Sequence, residues 1–211
     1  MTLVVLLISI LVLIAANALL IRRRNVRRHR LKVQRNAHSP EPLVIRTATI
    51  ADDMVPLLNQ LELDGARIDI VGGDGYYLMS SNGSRLKQGI EGWIGAGATV
   101  SYYLVRPSDD AREAFDALAS ANKGRFSLTD LSGIRSDSSG PIVDEMRNRH
   151  PTLVRMRSGE RAMWVEYMHP DQSSVAYNVK YVSPEAMADD KEQVEFQRYE
   201  TDLAQLAALA S

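Results

Sequence analysis

The chain has 211 residues, of which 45 % are hydrophobic and 24 % charged, a composition typical of one globular domain plus an appendage. It contains no cysteine, which excludes disulfides and thiolate metal sites. Its net charge of −1 is unevenly distributed: eight of the 25 Lys/Arg fall between Arg22 and Arg35, and all 26 acidic residues lie at Glu41 or later. Without that basic segment, the chain has 17 basic and 26 acidic residues, a net charge of −9. Nucleic-acid binding needs clustered cations on the folded part, so we expect no nucleic-acid partner.

The first 21 residues predict a membrane anchor. Residues 2–21 carry no charge, and at about 1.5 Å per residue they cover the roughly 30 Å hydrocarbon core of a bilayer. A cleaved signal peptide, with Ala-Asn-Ala at residues 16–18 as its cleavage site, is the alternative. Signal peptides carry positive charge before the apolar run, however, and here it comes after the run. The positive-inside rule then predicts a single-pass protein of the cell membrane, with its N-terminus outside and its C-terminal domain cytoplasmic.

A basic segment and a linker, residues 22–42, follow the predicted anchor. The basic cluster is explained by the orientation rule alone. Alternatively, it offers a site for anionic lipid, worth about 1 kcal/mol per cation near the surface, or for nucleic acid. The side chains predicted to contact lipid headgroups are Arg22, Arg23, Arg24, Arg27, Arg28, Arg30, Lys32 and Arg35. The polar, proline-containing residues 36–42 predict a linker. We therefore expect a cytoplasmic domain over residues 43–183 and a C-terminal helix over residues 184–211.

The first half of the domain alternates strand and helix patterns. Strands are predicted at residues 43–50, 66–72, 98–105 and 125–131. Three helices are predicted between them: one entered through Asp52 and Asp53 with Pro56 in its first turn, one over residues 81–97 with Ser84 as N-cap, and one that starts at Ser108. Strands separated by helices of ten or more residues indicate parallel neighbours with right-handed crossovers.

The pattern changes after residue 132. Residues 132–141 are rich in Ser and Gly and predict a loop, which a short helical stretch over residues 142–149 follows. Three strands at hairpin distance come next, at residues 152–157, 161–168 and 174–182, with the first turn at Ser158-Gly159. The predicted fold is therefore α/β, with a mixed sheet and flanking helices.

The C-terminal helix is predicted to be amphipathic and to start at Ser183-Pro184-Glu185. Its apolar residues follow one another at spacings of 3, 4, 3 and 4: Phe196, Tyr199, Leu203, Leu206 and Ala210. Two heptads of this pattern are compatible with packing onto the domain's own sheet and with a homodimer through this helix.

A candidate ligand site lies at Gly-Gly-Asp-Gly-Tyr-Tyr, residues 72–77, which follows a strand at the position where open α/β sheets bind ligands. The glycine spacing of a dinucleotide or Walker motif is absent. Four polar residues would line this rim: Asp74, Ser80, Ser81 and Asn82. The alternative is that the glycines only allow positive φ in a sharp turn.

Other catalytic or metal motifs are missing from the sequence. The four histidines lack the spacing of a zinc site, and neither a catalytic triad nor an H-E-x-x-H motif is present. The carboxylate pairs Asp109/Asp110 and Asp189/Asp190 fall at predicted helix N-termini, where acids are expected on electrostatic grounds. Trp93, Trp164 and Tyr167 are expected in the core or half-buried in the sheet. We predict no metal and no cofactor.

Two stretches resemble the phospholipase D-like family. Residues 85–105 contain a helix that runs through Ala-Gly-x-x-Val into a strand, and residues 150–159, HPTLVRMRSG, are similar to the family's H-x-K-x-x-x-x-D motif followed by Gly. The resemblance extends over roughly residues 43–183. It implies that His150 occupies the position of the family's catalytic His. Thr152 stands where that motif has Lys, and Arg157 stands where it has Asp.

The resemblance also implies what these departures cost. In that family the His attacks a phosphodiester, the Lys helps to hold the phosphate charge, and two motifs, from a repeat or a dimer, build one site. With one motif in the chain and two of its three residues replaced, we expect a non-catalytic binding or scaffold module, a pseudoenzyme. The alternative is a phosphodiester-cleaving or transferring homodimer in which His150 and His169 supply the nucleophile or the acid and base.

Overall fold

The computed structural model describes residues 50–73, 83–134, 136–169 and 172–210. In these residues five α-helices flank one six-stranded mixed sheet. The strands are β1 Arg67–Gly72, β2 Thr99–Leu104, β3 Phe126–Asp130, β4 Arg149–Arg155, β5 Arg161–His169 and β6 Gln172–Val182. The helices are α1 Ile50–Leu58, α2 Gly83–Gly95, α3 Asp109–Ala121, α4 Ser136–Asn148 and α5 Asp190–Ala210, with a 3-10 turn at Ala186–Ala188. The predicted α/β fold with a mixed sheet and flanking helices is confirmed at this level.

The strand order across the sheet is β3-β2-β1-β4-β5-β6. β1, β2 and β3 are parallel neighbours connected through α2 and α3, as the alternation of strand and helix patterns predicted. β4 pairs with β1 in the antiparallel direction, and β5 and β6 continue as an antiparallel meander. The sheet therefore has a parallel half and an antiparallel half that meet between β1 and β4.

The two faces of the sheet carry separate apolar cores because side chains alternate along each strand. On β1, Ile70 points into the core that α1, α2 and α3 cover, and Val71 points into the core that α4 and α5 cover. The large residues of the first core include Trp93, Phe115 and Trp164, each no more than 1 % exposed. The sheet is thus the middle layer between helices, as expected when both of its faces are apolar.

Helix α5 buries its apolar side against the second core. The four residues of the seam from 196 to 206, Phe196, Tyr199, Leu203 and Leu206, are each at most 2 % exposed and belong to the core that β4, β5 and β6 line. The seam therefore packs onto the domain's own sheet, which was one of the two arrangements the spacing allowed. The homodimer through this helix stays a prediction.

A buried ion cluster fixes α5 to the sheet. The ammonium group of Lys180 on β6 lies 2.5 Å from Glu192 Oε2 and 2.8 Å from Glu195 Oε2, and its side chain is 5 % exposed. Burial lowers the pKa of Lys180, but hydrogen bonds and attraction from the two carboxylates outweigh that effect, so its pKa is raised. Lys180 therefore stays charged and holds two residues of the first turns of α5.

Several predicted boundaries were wrong by a few residues. α1 begins at Ile50, ahead of Asp52, so Pro56 stands inside the helix and outside its first turn. α2 begins at Gly83, which places Ser84 inside the helix and makes the predicted N-cap wrong. Ser108, in contrast, is the N-cap of α3, with its Oγ accepting a hydrogen bond from the backbone N–H of Ala111 at 3.2 Å.

Two later boundaries also differ from the prediction. The stretch predicted as a loop over residues 132–141 contains the start of α4 at Ser136, and Pro141 lies within that helix. Ser183 does not start the last helix: its Oγ accepts a hydrogen bond from the N–H of Ala186, the first residue of the short 3-10 turn. Asp189 has an extended backbone conformation, with φ −71° and ψ 129°, and α5 begins at the next residue, Asp190.

The predicted anchor, basic segment and linker, together with the strand pattern up to residue 49, lie outside the described residues. Across the part of the chain that the structure does describe, no helix is both long enough and apolar enough to cross a bilayer.

Replacement of Lys180 by Met should lower the free energy of unfolding by about 3–5 kcal/mol. The substitution leaves Glu192 and Glu195 in an apolar setting without their cation, and removing one partner from a buried ion cluster is strongly destabilising. Urea unfolding of the full chain, followed by circular dichroism, measures the change.

The matched control is Lys87→Met, since Lys87 pairs with Glu91 at 3.8 Å with both side chains about half exposed. That variant should change the free energy by less than about 0.5 kcal/mol. Equal unfolding midpoints for the two variants would contradict the assigned role of Lys180.

Candidate functional site

The candidate site lies at the edge of the sheet where β1 and β2 end. Because β4 is antiparallel to β1, with Thr152 opposite Ile70, the start of β4 lies beside the end of β1. β5 is antiparallel to β4 in turn, so its end reaches the same edge and Glu166 is directly opposite His150. The sheet topology thus brings a buried imidazole and a buried carboxyl group together at the edge where open α/β sheets bind ligands.

His150, Thr152 and Glu166 line one small cavity under α1 and α2. The cavity measures about 20 Å³, which is room for about one water molecule. The described residues that line it are Ala51, Met54, Ile70, Val71, Gly72, Leu86, Tyr102, His150, Thr152 and Glu166. Its wall is mostly apolar, and none of these residues is Lys or Arg.

Hydrogen bonds connect two polar groups of the cavity to neighbouring side chains. Thr152 Oγ1 donates to the sulfur of Met54 at 3.6 Å. Trp164 Nε1, on the same strand as Glu166, donates to Glu166 Oε1 at 3.2 Å. His150 is 4 % and Glu166 7 % exposed, so burial dominates the electrostatics of both groups.

Burial shifts the two ionisable groups in opposite directions on the pH scale, in each case toward the neutral form. Burial, together with the positive charge of Arg106, lowers the pKa of His150 to about 4. Burial raises the pKa of Glu166 to about 8, against the opposing effect of the hydrogen bond from Trp164. At pH 7 the imidazole is therefore neutral, with one N–H, and the carboxyl group of Glu166 keeps its proton.

Gly72 is required at this edge for space. A Cβ at position 72 would lie 2.3 Å from the hydroxyl oxygen of Tyr102, which is buried beside it. Gly72 is not among the glycines with positive φ, so the positive-φ interpretation was wrong for this glycine. Glycine at position 72 instead admits the ring of Tyr102 against the end of β1.

The predicted site residues fall into two groups. His150 is placed in the cavity, and the backbone of His169, at the end of β5, lies at the same sheet edge opposite Gln172. The predicted ligand residues Asp74, Ser80, Ser81 and Asn82 lie outside the described residues, as do the eight lipid-headgroup residues from Arg22 to Arg35. Their roles stay predictions.

The two positions that depart from the phospholipase D-like motif are far apart. Thr152 is inside the cavity, two residues along β4 from His150. Arg157 lies at the turn beyond the other end of β4, roughly 20 Å from His150 at the rise of a strand. Its guanidinium is largely exposed and faces Asp64 at 3.7 Å.

Glu166 is the residue of the site that the sequence pattern did not single out. The only signal was its place in RAMWVEYM, where alternation puts it on the same inward face as Ala162 and Trp164. An acid at an inward position of a strand is the feature that could have identified it. Within the described residues no group of three or more His, Asp or Glu side chains is placed to hold a metal ion.

Comparisons with known proteins give little further information. No family model and no curated protein sequence matches the chain. One similar solved structure is that of TrmBL2, an archaeal chromatin protein reported to show a novel mode of DNA binding, at 12 % identity and a TM-score of 0.39. The match covers 88 % of this chain, and the chain spans 63 % of the length of that protein. No inference about fold or function is taken from a similarity of this size.

The His150–Glu166 pair should give stability a defined pH profile. For His150 the folded pKa lies below the unfolded value of 6.5, so its contribution to the free energy of unfolding is lost as pH falls from 6.5 to about 4. For Glu166 the folded pKa lies above the unfolded value of 4.5, so its contribution to the free energy of unfolding is lost as pH rises from 4.5 to about 8. The two slopes oppose each other between pH 4.5 and 6.5, and the Glu166 slope alone remains between pH 6.5 and 8.

Glu166→Gln should therefore remove the fall in the free energy of unfolding between pH 6.5 and 8, which is at most about 1.4 kcal/mol per pH unit. Urea unfolding at pH 6.5, 7.2 and 8.0 measures the slope. Glu160→Gln, at an exposed carboxylate of the β4–β5 turn, serves as control and should keep the wild-type slope. A wild-type slope in Glu166→Gln would refute the assignment of the proton to this residue.

Proposed function

We propose that the chain is a membrane-tethered, non-catalytic binding or scaffold module with a phospholipase D-like arrangement of His150. The observation that carries the proposal is the size and lining of the cavity at His150. A volume of about 20 Å³ is far below the roughly 300 Å³ or more of typical ligand sites. A phosphodiester therefore does not fit beside the imidazole in this arrangement.

The electrostatics of the cavity support the same proposal. Phosphoryl transfer needs a cation to balance the developing negative charge, and loss of one such stabiliser costs a few kcal/mol in the transition state. Thr152, at the position of the family's Lys, offers a hydroxyl that donates to Met54. The protonated carboxyl group of Glu166 opposite His150 adds no positive charge.

The tether is proposed from the sequence alone. Residues 2–21 are uncharged, and the eight cations follow them directly, a pattern that favours a single span with the folded domain in the cytoplasm. On this proposal the cations lie at the cytoplasmic surface, where they attract anionic lipid. The domain would then bind its ligand or protein partner close to the membrane.

A phosphodiester-cleaving or transferring homodimer is the second candidate. One observation favours it: β4 starts and β5 ends at the same sheet edge, so His150 and His169 both lie at that edge. His169 is three residues past the partner of His150, roughly 10 Å along the strand. A second copy of the chain would have to supply the missing cation.

Hydrolysis of bis-p-nitrophenyl phosphate separates the two candidates. The purified full chain should show no turnover above buffer at any concentration, including those at which sedimentation detects a dimer, because no described cation lines the cavity. His150→Ala and His169→Ala provide matched variants. Turnover that either variant abolishes would sink the binding-module proposal and establish the enzyme.

Removal of residues 2–21 tests the tether. In cells that produce the chain with a C-terminal tag, the full chain should stay in carbonate-washed membranes. An added protease should reach the tag only after the cells are permeabilised, because the tag lies in the cytoplasm. The shortened chain should move to the soluble fraction, since the apolar span is gone. A full chain that is soluble, or that has lost its N-terminal residues, would refute the retained anchor.

A further inference from the structure

A second concave surface lies at the opposite end of the sheet from His150. It is an open groove of about 510 Å³ between the end of α1, the β4–β5 turn and the end of β6. Leu57, Leu61 and Met156 give it an apolar lining, and the ring of Tyr181 adds to it. A groove of this size lies within the usual range of volumes of ligand sites.

The groove is acidic at its rim. Glu62, Glu160 and Glu185 line it and are exposed, and among the described residues that line it there is no Lys, Arg or His. Neither Glu62 nor Glu160 forms an ion pair with another described residue. The negative charge of Glu185 reaches into the groove, since burial and this carboxylate together raise the pKa of Tyr181 to about 12. The groove thus combines apolar contact area with negative charge.

We propose that this groove binds the chain's own basic segment, residues 22–35. That segment, RRRNVRRHRLKVQR, has eight Lys/Arg, no acidic residue and the apolar residues Val26, Leu31 and Val33. Its cations complement the glutamates of the rim, and its apolar residues complement the leucines and Met156. Electrostatic complementarity of this kind favours one partner and speeds its association.

The connection between segment and groove is long enough. Residues 36–49 separate the basic segment from the start of α1 and extend to at most about 45–50 Å. α1 is about 13 Å long, and its C-terminal end forms one wall of the groove. Because the two partners belong to one chain, binding takes place at a high effective concentration.

The docked segment is unavailable to anionic lipid, since the same cations serve both surfaces. Release from the groove makes these cations available to anionic lipid near a membrane, so a charged surface or high salt shifts the equilibrium. The proposal goes beyond a ligand site at His150. It requires only that the basic segment be joined to the domain, and it holds whether or not residues 2–21 span a bilayer.

Paired cysteines test the contact, because the chain has none of its own. The full chain with Gln34→Cys and Gln60→Cys, in neutral phosphatidylcholine nanodiscs, is oxidised with copper phenanthroline and its intrachain disulfide is measured. Gln34→Cys with Ala117→Cys, an exposed position on α3 away from the groove, is the matched control for random encounters. The groove pair should give about fivefold more disulfide than the control pair.

Charge reversal then tests the acidic rim. Glu62→Lys with Glu160→Lys should reduce the disulfide of the groove pair to the level of the control, as should 0.5 M salt or nanodiscs rich in phosphatidylserine. Glu113→Lys with Asp116→Lys makes the same change in net charge at exposed positions of α3 and should have no effect.

Three outcomes overturn the proposal. Equal disulfide yields for the groove pair and the control pair would show that the segment does not select the groove. Equal loss in the two charge-reversal variants would show that only net charge matters. Disulfide formed between a chain with Gln34→Cys and another with Gln60→Cys, in place of the intrachain product, would show that the occupant comes from a second copy.

Discussion

The antiparallel pairing of β4 with β1 is the constraint on which the remaining architecture depends. A parallel sheet that continued past β1 would have placed the start of the next strand at the opposite edge. With Thr152 opposite Ile70, the start of β4 and the end of β5 instead meet the carboxyl ends of β1 and β2. The same pairing sends the β4–β5 turn to the other end of the sheet, where it forms one wall of the acidic groove.

A buried ionisable side chain is charged on one face of the sheet and neutral on the other. The number of oppositely charged partners explains the difference. Lys180 lies within 2.8 Å of two carboxylates, so attraction outweighs desolvation and Lys180 stays charged. Glu166 has an indole N–H and a neutral imidazole nearby, and no described residue that lines the cavity is Lys or Arg, so retention of a proton is the lower-energy state. The domain thus has the ion cluster of Lys180 under α5 and a neutral polar pair, His150 and Glu166, under α1 and α2.

The sequence predicted the elements that local patterns determine, and it missed those that depend on neighbours. The strand-helix alternation, the Ser108 cap and the turn at Gly159, with φ at +93°, follow from period, capping and glycine chemistry. The predicted strand began at residue 152, after the true start of β4 at Arg149, because Pro151 is unfavourable within a sheet. It is tolerated since pairing with β1 begins only at Thr152, so β5 alone flanks it. His150 could be identified from a motif, whereas its pairing with Glu166 depends on the register between two strands.

The hydrogen bond from Trp164 to Glu166 has a spectroscopic consequence. The indole N–H of Trp164 touches the carboxyl group whose proton is in question, and the ring itself is fully buried. Indole emission responds to the charge of its immediate surroundings, whereas the second tryptophan, Trp93, donates to the amide oxygen of Asn59, a group that does not titrate. The fluorescence of Trp164 is therefore a built-in reporter of protonation at the cavity, which allows its state to be followed without any added label.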